Sequence, residues 1–314
     1  MIKNASPILD ELRRATGSEA LAVEFMEKHR WGNSPACPRC GDINVYKMLG
    51  KNGERNADYR WRCRGCLKMF TVRTGTIFEE SRLPLRVWVF AFWRACASKK
   101  GISALQLSRE MEITHRSALF VLRRIRFAMG TPVTAPKLGR NKGTVEIDET
   151  YVGGKPRMKG EAKEKTPVVA IAERGGDVRF FKMQRVTADT VGRAIEANVD
   201  LRARLMTDEA AIYRPAGEFF GGGHFSVKHS AGEYAKPGTD IHSNSVEGVF
   251  SLLKRGIYGT YHSVSAKHLG NYLNEFEFRH NARRVDDGER IAKAIKSADG
   301  KRLTYEQAVK DAPW

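Results

Sequence analysis

Four cysteines form two pairs with the spacing of a metal site. Cys37 and Cys40 are separated by two residues, and Cys63 and Cys66 repeat that spacing after 22 intervening residues. Two such knuckles on a β hairpin can close a tetrahedral four-thiolate zinc site with no open position. Redox dithiols and unliganded core cysteines are the alternatives. Because both knuckles lie in one turn-rich module, we predict a structural zinc ribbon, whereas Cys96 is predicted to be a core thiol.

Two aspartates end predicted strands in the second half of the chain. Asp148 closes the segment 144–148, and Asp208 closes the segment 204–208. Carboxylates at the carboxyl ends of neighbouring strands meet at one edge of a sheet, where oxygen ligands can hold a hard cation. Asp208 could instead cap a following helix. The pattern indicates a divalent-metal site.

A third group of polar residues lies on a predicted helix. Asn244, Glu247, Ser251 and Lys254 fall at positions that share one helical face. Asn244 and Glu247 also have capping-box spacing, and capping does not exclude catalysis. Three oxygen ligands around divalent metal favour two-metal phosphoryl transfer, in which a nearby lysine would position the substrate phosphate.

The distribution of charge predicts a polyanionic partner for the first half of the chain. The net charge is +18, and residues 1–140 hold 26 basic and 12 acidic side chains, against 28 and 24 in residues 141–314. An amphipathic helix over 115–129 carries an arginine-rich face that suits a DNA major groove, although a solvated face is the alternative. The candidate DNA-binding residues are Arg116, Arg123, Arg124, Arg126 and, on the last long helix, Arg279 and Arg283.

Periodicity divides the chain into segments that would position these residues. We predict a helical lead-in (1–35), the zinc ribbon (36–80), helix-turn-helix-like DNA-binding helices (84–130), a linker (131–142), a catalytic domain (143–285) and a C-terminal tail (286–314). In the catalytic domain the predicted strands cover 144–148, 167–172, 178–186, 204–208 and 225–228, and the predicted helices cover 188–199, 244–255 and 265–284. This order predicts an α/β mixed sheet covered by helices.

Composition excludes several classes of protein. Apolar residues make up 41% of the chain, which is typical of a globular protein, and its longest apolar run is too short to span a membrane. The first ten residues lack the features of a secretory signal, so we expect a reducing cytoplasm, reduced cysteines and no membrane partner.

Several motifs, in order, resemble bacterial insertion-sequence DDE transposases of the family numbered fifteen ninety-five. The resemblance runs from about residue 20 to 285, and the matching motifs are Cys37–Cys40, Tyr59–Cys66, Thr74–Phe78, Glu146–Lys155, Thr207–Glu209 and His242–Arg255. It implies an RNase H-like catalytic core that cleaves DNA at terminal inverted repeats and transfers the freed 3′ ends to target DNA.

The resemblance also implies roles for individual residues. Asp148 and Asp208 match the metal-binding carboxylates for Mg²⁺ or Mn²⁺, and Lys254 matches the basic residue after the third ligand. That third position is asparagine in many members and glutamate in others, so both Asn244 and Glu247 are candidates, with Glu247 favoured because a carboxylate binds a hard dication better than an amide. Double-stranded DNA is the expected partner, with a homodimer or larger assembly on paired ends. A non-catalytic regulator, an inactivated relic and a metal-dependent nuclease are the alternatives.

Overall fold

The computed structural model describes residues 6–153, 165–227 and 238–303, which fall into two compact units. One unit contains residues 1–129 and 284–314, and the other contains residues 130–283. Within the described ranges, no helix combines the length and apolar composition needed to cross a membrane. The elements of the first unit are α1 (Pro7–Gly17), α2 (Glu19–Trp31), β1 (Val45–Lys47), β2 (Trp61–Cys63), β3 (Met69–Phe70), α3 (Leu85–Ala97), α4 (Ala104–Glu110), α5 (His115–Ala128) and the last helix of the chain, Asp287–Lys296.

The second unit begins with three consecutive strands, continues with alternating helices and strands, and ends with two helices. Its elements are β4 (Thr144–Val152), β5 (Thr166–Glu173), β6 (Val178–Lys182), α6 (Ala188–Asn198), β7 (Arg204–Asp208), α7 (Arg214–Gly217), β8 (His224–Val227), α8 (Asn244–Gly256) and α9 (Ala266–Asn281). The last helix of the chain, in the first unit, is therefore α10.

The ribbon is a small antiparallel sheet in the order β1-β2-β3. Its core contains three aromatic rings, in which Trp31 of α2 lies edge-on to Trp61 and Phe70. Glu27, also on α2, accepts a hydrogen bond from the Trp61 indole and forms an ion pair with Arg55. The helix that precedes the ribbon therefore supplies part of its core.

Helices α4 and α5 pack against each other in the segment for which a helix-turn-helix is predicted. The hydroxyl of Ser103 accepts from Gln106 N at the start of α4, and that of Thr114 accepts from Ser117 N at the start of α5. Glu112, in the turn between them, has a positive φ of 52°.

Helix α10 packs against α2 and α3, so part of the predicted tail belongs to this unit. Residues 304–314 lie outside the described part of the chain.

The second unit contains a five-stranded mixed sheet in the order β6-β5-β4-β7-β8. Strand β5 is antiparallel to both β4 and β6, whereas β7 pairs in parallel with both β4 and β8. The predicted RNase H-like α/β class is confirmed. Strand β6 ends at Lys182, earlier than the predicted residue 186, because its pairing with β5 ends where Lys182 lies opposite Val168. The predicted end of the last strand, Lys228, lies outside the described residues.

Helices cover both faces of this sheet. Val191 and Ile195 of α6 pack with Ile147 and Leu205 on one face. Helices α8 and α9 cover the other face, where Val246 and Leu253 of α8 are buried among residues of β5 and β6. Along β4, Val145 and Ile147 therefore face α6, and the alternating positions face α8.

Candidate active site and metal centres

The four cysteines of the ribbon lie together in a geometry that suits zinc. Their sulfur atoms lie within 4.8 Å of one another, with Cys37 to Cys66 at 3.7 Å and Cys40 to Cys63 at 3.6 Å. A tetrahedral zinc with Zn–S bonds of about 2.3 Å places its sulfurs about 3.8 Å apart. The four thiols share hydrogen bonds: the backbone N–H of Lys68 and the neighbouring thiols lower the pKa of Cys66, whereas burial and contacts with neighbouring thiols raise the pKa of Cys40 and Cys63.

Asp148 and Asp208 occupy equivalent positions on neighbouring strands. Strands β4 and β7 pair in parallel with a constant register, and Glu146 lies opposite Met206. Continuing that register by two residues puts Asp148 level with Asp208. Because side chains alternate along a strand, both aspartates project from the face of the sheet that α8 covers.

Glu149 joins the two aspartates in one carboxylate cluster. One carboxylate oxygen from each of Asp148, Glu149 and Asp208 lies within 4.8 Å of the others. The backbone around the cluster is ordered by the aspartates themselves: Asp148 Oδ1 accepts from Glu149 N at 2.8 Å, and Asp208 Oδ1 accepts from Ala210 N at 3.0 Å. Three convergent carboxylates are an oxygen-donor set that suits a hard divalent cation.

Tyr213 contacts this cluster from the side of α6. It lies in the turn after β7, its side chain is fully buried, and its hydroxyl donates a hydrogen bond to Glu149 Oε2. Burial, the hydrogen bond to Glu149 and the charges of Glu149, Asp148 and Asp208 all raise the pKa of Tyr213. The phenol therefore stays protonated and serves Glu149 as a donor.

Glu146 fastens the start of α8 to the strand that carries Asp148. Its side chain is completely buried and accepts four hydrogen bonds, from Ser245 N (2.7 Å), Val246 N (3.0 Å), Ser245 Oγ (2.9 Å) and Arg174 Nε (2.6 Å). Arg174 also donates to the backbone carbonyl of His242, in the segment that leads into α8. A buried carboxylate at a helix N-terminus satisfies N–H groups that have no partner within the helix.

The predicted residues of α8 lie beside the cluster and outside it. Glu247 follows the two residues that bond Glu146, and its Oε1 accepts from Ser243 Oγ at 3.1 Å. Among the described residues, the group of carboxylates within 4.8 Å contains neither Glu247 nor any other residue of α8. Asn244 lines a cavity with Glu173 at the end of β5, which lies on the side of β4 away from β7. Lys254 is exposed on the outer face of the helix.

Comparison with known proteins assigns both units. The model of the ISXO2-like transposase domain, from the IS1595 family, matches residues 140–281, and the model of the transposase zinc-ribbon domain of the same family matches residues 17–69. Together the two models cover more than half of the chain. The chain belongs to the IS1595 transposases.

This IS1595 transposase also resembles a protein of an archaeal mobile element. It is 28% identical over 300 residues to the uncharacterized protein in transposable element ISH50 of Halobacterium salinarum. The match covers 90% of this chain and 97% of that protein, so it includes both the ribbon and the carboxylate cluster.

The transposase exposes only some of the arginines predicted to contact DNA. Arg116 is exposed in the first turn of α5 and Arg123 is partly exposed. Arg124 and Arg126 have exposures of only 5% and 2%, so they do not form the predicted solvent-facing arginine surface. Arg124 stacks on Phe120 and donates to the carbonyl of Leu303, in the segment after α10. Helical periodicity alone does not show that these two positions are buried, because the burial depends on contacts with other parts of the first unit.

The two arginines predicted on the last long helix also differ from each other. Arg279 is buried, where it pairs with Glu275 and stacks on Phe276, so its role in the structure is internal. Arg283 is exposed, although its guanidinium donates to the carbonyls of His280 and Gly176.

Glu149 is the cluster member that the sequence prediction missed. Strand alternation places Glu149 on the opposite face from Asp148, which argues against a shared site. Strand periodicity gives no signal that could have found it, because its place in the cluster depends on the β4–β7 pairing, which ends at Glu146, three residues earlier. The lysine that closes the quoted motif, Lys155, lies outside the described residues.

Proposed function

We propose that this protein is a DNA transposase that cleaves the terminal inverted repeats of its insertion sequence and transfers the freed 3′ ends to target DNA. The observation that supports this most directly is the convergence of Asp148 and Glu149, within β4, with Asp208, at the end of β7, in a domain matched by the transposase family model. Carboxylates in this position are the donors that phosphoryl-transfer enzymes use to hold divalent cations.

In this proposal the carboxylate cluster holds Mg²⁺ or Mn²⁺. The bound cations would activate the attacking hydroxyl and stabilise the leaving oxygen of the phosphodiester. Asp148 and Asp208 supply the central ligands, and Glu149 supplies a third carboxylate beside them. Glu247 is favoured over Asn244 as a ligand from α8, because Glu146 fixes the helix start beside Asp148 whereas Asn244 lines the cavity at β5.

The first unit is proposed to bind the ends of the element. Its ribbon would hold one structural Zn²⁺ through Cys37, Cys40, Cys63 and Cys66, a donor set and geometry that suit zinc. Helix α5 would present Arg116 and Arg123 to DNA, since these two arginines keep solvent exposure. We also propose that two or more copies assemble on paired ends.

The direct test is incubation of the full-length protein with linear DNA that carries the sequences flanking its own gene, in the presence of Mg²⁺ or Mn²⁺. The proposal predicts nicks at the 3′ ends of the element and joined products. Nicks without joined products would indicate a nuclease instead. Binding without either product, by folded protein that contains zinc, would contradict the catalytic assignment and favour a regulator or an inactivated relic.

A further inference from the structure

The two aspartates of the cluster lie beyond the last residues that pair β4 with β7. The parallel pairing of β4 with β7 covers Thr144 to Glu146 on the β4 side. Beyond that point β4 continues along β5, and β7 continues to Asp208 along β8. In the described part of these strands, no backbone hydrogen bond of the β4–β7 ladder fixes the separation of Asp148 from Asp208.

A side-chain contact bridges this gap. Tyr213 is five residues after Asp208, and its backbone N–H donates to the carbonyl of Ala210 within the turn. Its ring is packed in the core cluster that contains Ile147, so the position of its hydroxyl is fixed by the core. That hydroxyl donates to Glu149, the residue directly after Asp148. The middle of β4 is therefore tied to the turn that follows β7.

We propose that Tyr213 is a positioning residue for the divalent-cation site, which it organises by holding Glu149 and thereby the spacing of Asp148 from Asp208. This inference rests on the proposed function. Three carboxylates this close repel one another in the absence of a cation, and a fixed donor on one of them limits their separation. Partners that orient metal-binding carboxylates contribute about 10–100-fold to metal affinity.

The test measures cation binding without DNA, so that it does not depend on catalysis. Full-length, zinc-loaded protein is titrated with Mn²⁺, and free Mn²⁺ is quantified by electron paramagnetic resonance. We expect Tyr213→Phe to raise the Mn²⁺ dissociation constant by about 10–100-fold, because it removes the hydroxyl and keeps the buried ring. Tyr261→Phe is the matched control, since Tyr261 donates a comparable bond to Glu275 in the same unit, at 2.8 Å. It should leave Mn²⁺ affinity unchanged.

A double-mutant cycle separates positioning from a general effect on the fold. If Tyr213 acts through Glu149, Tyr213→Phe should cause no further loss of Mn²⁺ affinity in the Glu149→Ala protein. Additive losses would overturn the inference, as would equal Mn²⁺ affinities of the wild type and Tyr213→Phe. A wild-type protein that binds no Mn²⁺ and cleaves no DNA would overturn the proposed function, and this inference with it.

Discussion

Replacing Glu146 with glutamine should loosen the helix that lies beside the catalytic cluster. Each oxygen of the buried carboxylate accepts two hydrogen bonds, Oε1 from Arg174 and the Ser245 hydroxyl, and Oε2 from the backbone N–H groups of Ser245 and Val246. Glutamine keeps one oxygen and presents an amide NH₂ in place of the other. Whichever way it is oriented, two donors lose their acceptor.

The size of the effect follows from this count. A hydrogen bond to a charged group contributes about 1.5–3 kcal/mol, and removing one partner from a buried ion pair costs about 3–5 kcal/mol. The two lost contacts are either those of Arg174 and the Ser245 hydroxyl or those of the backbone N–H groups of Ser245 and Val246. Either loss predicts a destabilisation of about 3–5 kcal/mol. Since domains are stable by about 5–15 kcal/mol, Glu146→Gln should remain folded at moderate temperature with a weakened second unit.

Hydrogen exchange with mass spectrometry of the full-length protein measures this loss locally. Tryptophan fluorescence would not report it, because the sequence of the second unit, residues 130–283, contains no tryptophan. Peptides from β4 and the first turns of α8 should lose protection by the predicted free energy, whereas peptides from α3 should not change. Asp189→Asn, in an exposed ion pair on α6, is the control and should leave protection unchanged. Unchanged protection of α8 in Glu146→Gln would refute the reasoning.

Three further predictions concern zinc, DNA binding and pH. Cys37→Ser should release about one zinc per chain, measured by metal analysis, and unfold the ribbon, measured by circular dichroism. A wild-type protein that contains no zinc would contradict the ribbon site. Arg116→Ala should weaken binding to the element ends and reduce the slope of log affinity against log salt by about 1, without loss of stability. Arg124→Ala should instead lower the melting temperature, because Arg124 is buried. The reverse pattern would contradict this assignment. Burial, with the charge of Arg283, lowers the pKa of His280 to about 4, so an unfolded chain takes up a proton below about pH 6.5 that the folded protein does not. Stability should fall as pH drops from about 6.5 towards 4, and His280→Gln should show less of this fall in denaturant titrations; an identical pH dependence in both proteins would contradict it.

Local patterns predicted most of the elements in the second unit. Helix α8 was predicted over 244–255 and spans Asn244–Gly256, because its apolar residues recur at helical spacing and pack on the sheet. The strand ending at Asp208 was predicted with the observed bounds. These elements are set by short-range periodicity, which the sequence shows directly.

Features that depend on distant contacts were not predictable in this way. Arg124 has the residue type and helical position of an exposed DNA contact, but its partner is Leu303, 179 residues further along the chain. Glu146 contacts Ser245, 99 residues away, and Glu149 contacts Tyr213, 64 residues away. Side-chain type and alternation identify the face of a strand, whereas the partner on that face depends on the tertiary fold.

The central claim is that Asp208, with Asp148 and Glu149, binds the cation that supports DNA cleavage, and a change of metal preference tests it most directly. Full-length Asp208→Cys is compared, in cleavage of the element ends, with the wild type and with Asp200→Asn, since Asp200 pairs with Arg202 and is not part of the carboxylate cluster. Cysteine is a softer ligand that Mg²⁺ accepts poorly and Mn²⁺ tolerates better. The claim predicts loss of cleavage in Mg²⁺, partial recovery in Mn²⁺ and retained binding to the ends, with Asp200→Asn active in both metals. Full cleavage by Asp208→Cys in Mg²⁺ would contradict it.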